Sequence, residues 1–417
     1  MLLNIIILNI ILLTGAQRVN YNKYAMYEVL PQNERDMAYI RELYEKPDGV
    51  KFWSEPSIVG SYVSVIVPPD MRKNFEESLS EKNVTVKVAS DNIQEMINAE
   101  EPKRRKQRTE KKREINEVYF DACLSINNIY NYFNELTQNN SDIANVFTIG
   151  KSFEGKNITG IRISRGSPSR VFVLASGEIG ADCLSPTVLT YIVRELFRGD
   201  DPEALAATQD FEWHIIPIIN PDGFHYSQNF DRLWVKNRRR DSLVPDGVDL
   251  TKNWNAHWGT HGGSFINSHD NYIGPGPFSE IETRLVSGYI ANLAHNTRIT
   301  GLLSFRTFGQ NLLIPFAHTT EHLNNYQQMI TIGRRSLGSL SVRYNTQYLA
   351  GTPMEFNNAF TGTIGDWVKE NFDPPIVATY TLRNTHTLPA NLVKPACEET
   401  YDSVIAILRE ARFINVI

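Results

Sequence analysis

Four nearly unbroken apolar stretches constrain this chain more than anything else in it: VFVLAS (171–176), EWHIIPIIN (212–220), ITGLLSF (299–305) and PIVATYTL (375–382). A strand with one wet face alternates apolar and polar residues; a strand covered on both faces does not. These four therefore read as buried strands of one sheet lying between layers of helix. Helical patterns fall between them, at PTVLTYIVRELFRG (186–199) and FSEIETRLVSGYIANLA (278–294). Ser279 followed by Glu282 predicts a capping box at the second. From Ile115 onward the pattern is that of a mixed α/β domain of about 300 residues. With 41% hydrophobic and 21% charged residues, the composition is that of a globular chain; collagen, a coiled coil, a disulfide miniprotein and wholesale disorder are excluded.

The first hundred residues read differently. MLLNIIILNIILLTGAQ is apolar from Leu2 to Leu13 apart from Asn4 and Asn9, and ends in small residues. That predicts a secretory signal over 1–16, cleaved near Ala16, although no Lys or Arg precedes the apolar run. A membrane anchor is the competing reading, but the run is too short for the roughly 20 residues of a spanning helix. Residues 17–102 then predict a small domain. KYAMYEVL (23–30), VKFW (50–53), SYVSVIV (61–67) and VTVKVA (84–89) read as strands. QNERDMAYIRELYEK (32–46) places Met37, Ile40, Leu43 and Tyr44 at helical spacing. Pro68-Pro69-Asp70 opens a second helix carrying Phe75 and Leu79, and DNIQEMINAE a trailing one. The order β-α-β-β-α-β suits a ferredoxin-like open sandwich.

Net charge is −5, so no global field points to nucleic acid. Residues 103–113, KRRKQRTEKKR, hold eight basic side chains against one acid. Such a run is usually solvated. Behind a signal sequence it predicts a cleavable linker over 103–114 for a trypsin-like or furin-like processing protease; a heparin-type or anionic-surface patch is the alternative. Asn83, Asn139 and Asn157 each begin an Asn-x-Ser/Thr triplet, which a secreted chain can glycosylate. Cys123, Cys183 and Cys397 include no CxxC pair. An odd count leaves at least one thiol unpaired, and the preferred reading is three buried, inert thiols.

Seven ordered blocks together resemble the metallocarboxypeptidase A/B family of secreted exopeptidases: IGKSFEGKNITGIRIS (149–164), NPDGFHYS (220–227), RLWVKNRR (232–239), GVDLTKNW (247–254), YIGPGPFSEIET (272–283), GTIGDW (362–367) and TLRNTHTLPA (381–390). The resemblance implies a signal, an inhibitory prosegment, a cleaved linker, and an α/β/α carboxypeptidase-like domain (115–417) around a mixed eight-stranded sheet. Scaffold residues of the family pattern are kept at Asp222, Gly223, Asp249, Pro275, Phe278 and Trp367.

The resemblance also implies a catalytic zinc, held by a His-x-x-Glu pair and a later His. Counted back from Ser185-Pro186, those positions are Ile179 and Asp182, and the later one is Arg306. Isoleucine has no donor atom, and a guanidinium stays protonated. Thr381 occupies the position of the general base, Val235 that of the oxyanion-stabilising Arg, and Thr251 and Lys252 those of the pair that grips the substrate carboxylate. Asn358 replaces the mobile Tyr and Gly365 the specificity residue. The family disulfide falls near Pro245 and Ser268, and the loop after Arg383 is shortened by about four residues relative to the pattern the resemblance implies. Losing a single oxyanion donor costs about 10²–10³ in rate, and here the metal ligands and base change as well.

The expected function is thus a secreted, extracellular pseudoenzyme of the carboxypeptidase family. It has no zinc or other cofactor, and binds peptide C-termini or a protein partner through Lys252, Thr251 and Arg232. Arg306 is expected to fill the vacated metal position and pair with Asp182. An active zinc-dependent metallocarboxypeptidase that releases C-terminal residues is the alternative, and a structural or storage protein a third. Two motifs stand apart. His318-Thr319-Thr320-Glu321-His322 matches the zinc pattern His-x-x-Glu-His, but reads better as a surface helix starting at Thr319 or Thr320. Glu178 and Asp182 could pair as carboxylates but read as a solvated loop. His225, His257, His261 and His269 read as surface histidines without ligand spacing.

Overall fold

The computed structural model describes residues 18–54, 56, 59–98, 120–244, 246–383 and 389–417. The expected signal (1–16), the basic linker (103–114) and Pro245 lie outside these residues, as does the stretch 384–388 after Arg383.

The N-terminal domain runs β1 (Ala25–Leu30), α1 (Glu34–Glu45), β2 (Lys51–Phe52), β3 (Val63–Val67), α2 (Arg72–Glu81), β4 (Thr85–Ser90) and α3 (93–98). Its antiparallel sheet has the order β2-β3-β1-β4, the arrangement expected of the open sandwich. Asn33 caps α1 by accepting from Asp36 N–H. Met37 and Ile40 of α1 and Phe75 and Leu79 of α2 are buried under the sheet.

The larger domain comprises α4 (Ile126–Thr137), β5 (Ala144–Lys151), β6 (Asn157–Ile163), β7 (Arg170–Ser176), α5 (Leu184–Arg198), α6 (Pro202–Asp210), β8 (Glu212–Ile216) and α7 (Pro221–Asn229). It continues through α8 (Ile281–Asn296), β9 (Arg298–Thr307), β10 (Asn311–Leu313), α9 (Tyr326–Tyr344), β11 (Leu349–Gly351), α10 (Ile364–Phe372), β12 (Ile376–Leu382) and α11 (Ala390–Phe413). One eight-stranded mixed sheet has the order β11-β10-β12-β9-β7-β8-β6-β5. Strands β12, β9, β7 and β8 form its parallel centre. Those are the four apolar stretches, buried from both sides: a large cluster lies on the α5, α9 and α11 face and a smaller one on the α8 and α10 face. β8 stops at Ile216, short of the predicted run, because Pro217 has no N–H to give a neighbour; Asn220 then caps α7 by accepting from Gly223 N–H.

Three local expectations fail. Glu280, not Ser279, is the cap residue of α8, and no side chain caps it; Ser279 Oγ instead donates to Glu280 and accepts from Asn253. No helix starts at Thr319 or Thr320; α9 begins at Tyr326. The three thiols are not all free: Cys123 and Cys183 form a disulfide across 60 residues of sequence, and only Cys397 is left as a free, buried thiol. The spacing of two distant cysteines carried no sign of that pairing. Asn83, Asn139 and Asn157 are all exposed. No helix among the described residues is long and apolar enough to cross a membrane.

Candidate functional site

In an open α/β sheet, ligands meet the loops at the carboxyl ends of parallel strands, where neighbouring connections leave in opposite directions. Here that point lies between β7, whose chain goes on to β8 at one side, and β9, at its other side. Gly177 makes the turn out of β7 at φ +69°; a Cβ there would stand 2.7 Å from Pro217 O. The turn delivers Glu178, Ile179 and Asp182 to the strand ends. Arg306 at the end of β9 pairs in register with Thr381 at the end of β12.

Ile179, Asp182, Arg232, Val235, Thr251, Arg306, Asn358 and Thr381 all line one cavity of about 790 Å³. Residues nominated from six separate stretches of sequence are thus brought together. Two are not: Lys252 is fully buried outside the lining, its ammonium 5.6 Å from the Phe360 ring centroid, and Gly365 lies inside α10. The N-terminal domain supplies part of the cavity wall, with Lys51, Trp53 and Tyr62 lining it. Sequence reasoning named none of these three: Lys51 lies in the edge strand β2, and Trp53 and Tyr62 in the segments flanking β2 and β3, where no pattern marks what they cover.

The Asp182 carboxylate is held by three hydrogen bonds. One oxygen accepts from Ser185 N–H at 3.0 Å; the other accepts from Ser185 Oγ at 2.6 Å and Thr307 N–H at 2.8 Å. Burial still pushes its pKa upward. The expected Arg306–Asp182 pair does not form: the guanidinium lies 4.9 Å over the Phe360 ring, and Asp182 takes its partners from the backbone and Ser185. Glu178 and Asp182 are buried rather than solvated. Glu178 accepts from Trp254 Nε1 at 2.7 Å and is pushed up to about 7 by burial, against the pull of Arg306. Thr381 Oγ1 accepts from Asn311 N–H at 2.9 Å. Thr251 Oγ1 donates to Asp249 at 2.7 Å, and Arg232 donates to Ala181 O at 3.0 Å.

A zinc ion needs three nitrogen, sulfur or oxygen donors around one point. Ile179, Asp182 and Arg306 do not fit it: an alkyl group, a carboxylate already holding three hydrogen bonds, and a fixed cation. What the cavity offers is positive charge on Arg232, Lys236, Arg306 and Lys51, and aspartates at 246, 249 and 270. His257, read as a surface histidine, and His318, from the HTTEH motif, meet outside this cavity with rings stacked 3.6 Å apart. Their separation in sequence hid this, and the HTTEH motif pointed His318 to the wrong partner: His322 instead stacks on Tyr326.

Comparison with known proteins agrees with the fold. Residues 27–100 match the family model described as carboxypeptidase activation peptide, and residues 129–403 that described as zinc carboxypeptidase. The chain is 28% identical over 404 residues to zinc carboxypeptidase A 1 of Anopheles gambiae, covering 95% of this chain and 92% of the relative. It is 34% identical over 291 residues to zinc carboxypeptidase of Simulium vittatum, covering 68% of this chain and 95% of the relative. The crystal structure of carboxypeptidase A from Helicoverpa armigera superposes with a TM-score of 0.85 at 23% identity, over 94% of this chain and 98% of that one. The chain belongs to the zinc carboxypeptidase family, and carries the family's activation-peptide domain ahead of the carboxypeptidase fold.

Proposed function

We propose that this family member is secreted, has lost the zinc ligands and general base of its active relatives, and acts by binding rather than by hydrolysis. The observation that carries the reading is the pairing of Arg306 with Thr381 across β9 and β12, at the strand ends beside Asp182. A permanent cation and a hydroxyl held by the backbone stand there, and neither can activate water. The ligand class this favours is the free carboxylate of a peptide C-terminus, met by Arg306 and Arg232. Lys252 supports it only as a buried positive charge behind the wall.

The test is calorimetry of peptides with a free C-terminal acid against the same peptides amidated, before and after trypsin cuts the basic stretch 103–113, alongside a hydrolysis assay. The expected result is binding of the acid at least tenfold tighter than the amide in the cut protein, lost in R306A, with no release of C-terminal residues. Zinc-dependent release of amino acids overturns the reading, as does equal binding of acid and amide.

A further inference from the structure

We propose that His257, His318 and Glu370 form a binding site for one divalent transition-metal ion of the zinc class, apart from the cavity and independent of the reading above. They come from three segments: His257 from the loop after Trp254, His318 from the chain leaving β10, and Glu370 from α10. One donor atom from each lies within 4.8 Å of the other two. His257 Nε2 stands 3.2 Å from Glu370 Oε1. Ligands of a four-coordinate zinc bonded at about 2.0–2.2 Å lie roughly 3–3.5 Å apart, so side-chain shifts of about 1 Å bring the trio into range. His257 is free to make them, being half-exposed.

The surroundings are those of a metal ligand more than of a surface salt bridge. His318 Nδ1 is buried and has no hydrogen-bond partner, and stands 3.7 Å from Asp366 Oδ2. Asp366 lies one turn before Glu370 on α10 and is fixed by Ala317 N–H, which donates to the same oxygen at 2.9 Å. A histidine whose one nitrogen faces a carboxylate presents the other as a lone pair, the arrangement that orients metal-bound imidazoles. The two rings stack at 3.6 Å, which holds both imidazoles side by side at the cluster. Two imidazoles and two carboxylates make a donor set that suits a doubly charged cation. None of these four residues lines the cavity. The site backs onto it through Ala317, which packs against Phe360 and accepts from Phe360 N–H at 3.2 Å. Phe360 in turn lies beneath Arg306.

The test is titration of the full chain, stripped with chelator, with ZnCl₂ and CoCl₂, read by calorimetry, by the Co(II) absorption bands and by Tm. The expected result is one ion per chain and a Tm raised by several degrees, with affinity at least tenfold weaker in H257A and in E370Q. His257 is exposed enough that its truncation spares the fold, and E370Q keeps the side-chain shape. No binding of either ion overturns this site and leaves the reading of an inactive cavity standing. Binding unchanged in H257A and E370Q but lost in D182N places the ion in the cavity, and overturns both.

Discussion

The Glu178 carboxyl sits at the turn out of β7, buried, with Trp254 Nε1 as its hydrogen-bond donor and a pKa pushed up to about 7. Its value in the unfolded chain is near 4.5. The folded state therefore keeps a proton that the unfolded state releases, and stability drains away as pH rises from about 4.5 through 7. Glu282, buried in α8, is pushed up to about 7 for the same reason. E178Q keeps the acceptor for Trp254 and removes the ionisation. It is expected to be more stable than the parent at pH 8, by up to about 3 kcal/mol, and equal to it at pH 4.5; denaturant titrations at the two pH values measure the difference. A gain of the same size at both would mean that folding leaves the ionisation of Glu178 unshifted. At this scale the sequence was legible in residue types and opaque in surroundings. Ile179, Asp182, Arg306 and Thr381 could be nominated for one place because their chemistry departs from what the surrounding blocks imply. Nothing in the letters said that Ser185 and Thr307 would take up Asp182, leaving Arg306 to Phe360. Glu178 was expected in water because carboxylates usually are; a positive-φ glycine turned it inward.

Among the elements, the buried strands were the easiest to read, since an apolar run covered on both faces has few other homes. β7, β9 and β12 lie within two residues of their predicted bounds. The errors came where a tertiary partner outbid a local one. Asn253 reaches in from another loop, donating to Ser279 Oγ and accepting from Glu280 N–H and Thr283 Oγ1. The side-chain capping expected of Ser279 then has no role. The disulfide is the other tertiary surprise. Cys183 is the cap residue of α5 and lines the cavity, so its bond to Cys123 ties the segment entering α4 to the cavity wall. A loop of 60 residues closed by a crosslink is worth about 4 kcal/mol in chain-entropy terms. C123S/C183S is expected to lose stability on that order while keeping its fold. In the parent, thiol labelling is expected to find one reactive group, Cys397, and only after unfolding; two or three labelled thiols in the native protein would refute the bond.

At the scale of the whole molecule, the two domains share an interface as well as a chain. Tyr21 Oη donates to Asp231 at 2.6 Å, Val19 N–H donates to Phe230 O at 2.8 Å, and Lys51 pairs with Asp270 at 3.5 Å. Trp53, Ile66, Ile93 and Ile97 of the small domain pack with Leu233 of the large one. Arg41 donates to Asn357 O beside the cavity residue Asn358. The tyrosine hydroxyl is held far above its usual range by burial and by the Asp231 carboxylate, so it remains a donor at any working pH. After a cut in 103–113 the two pieces are expected to co-elute on a sizing column. Y21F, which leaves Asp231 without that donor, is expected to loosen them by about 1–3 kcal/mol, read as faster release of the small piece.

Covalent continuity decides how the cavity beneath the small domain meets its ligands. While the chain is whole, Lys51 and Trp53 compete for the cavity at an effective concentration on the order of millimolar, as joined modules do, and dilution does not weaken them. A single cut turns the lid into a separate solute. In a nanomolar solution its grip then falls by up to about a millionfold in local concentration, with no contact altered. Access to the Arg306 end of the cavity thus depends on how dilute the protein is, and only after the cut.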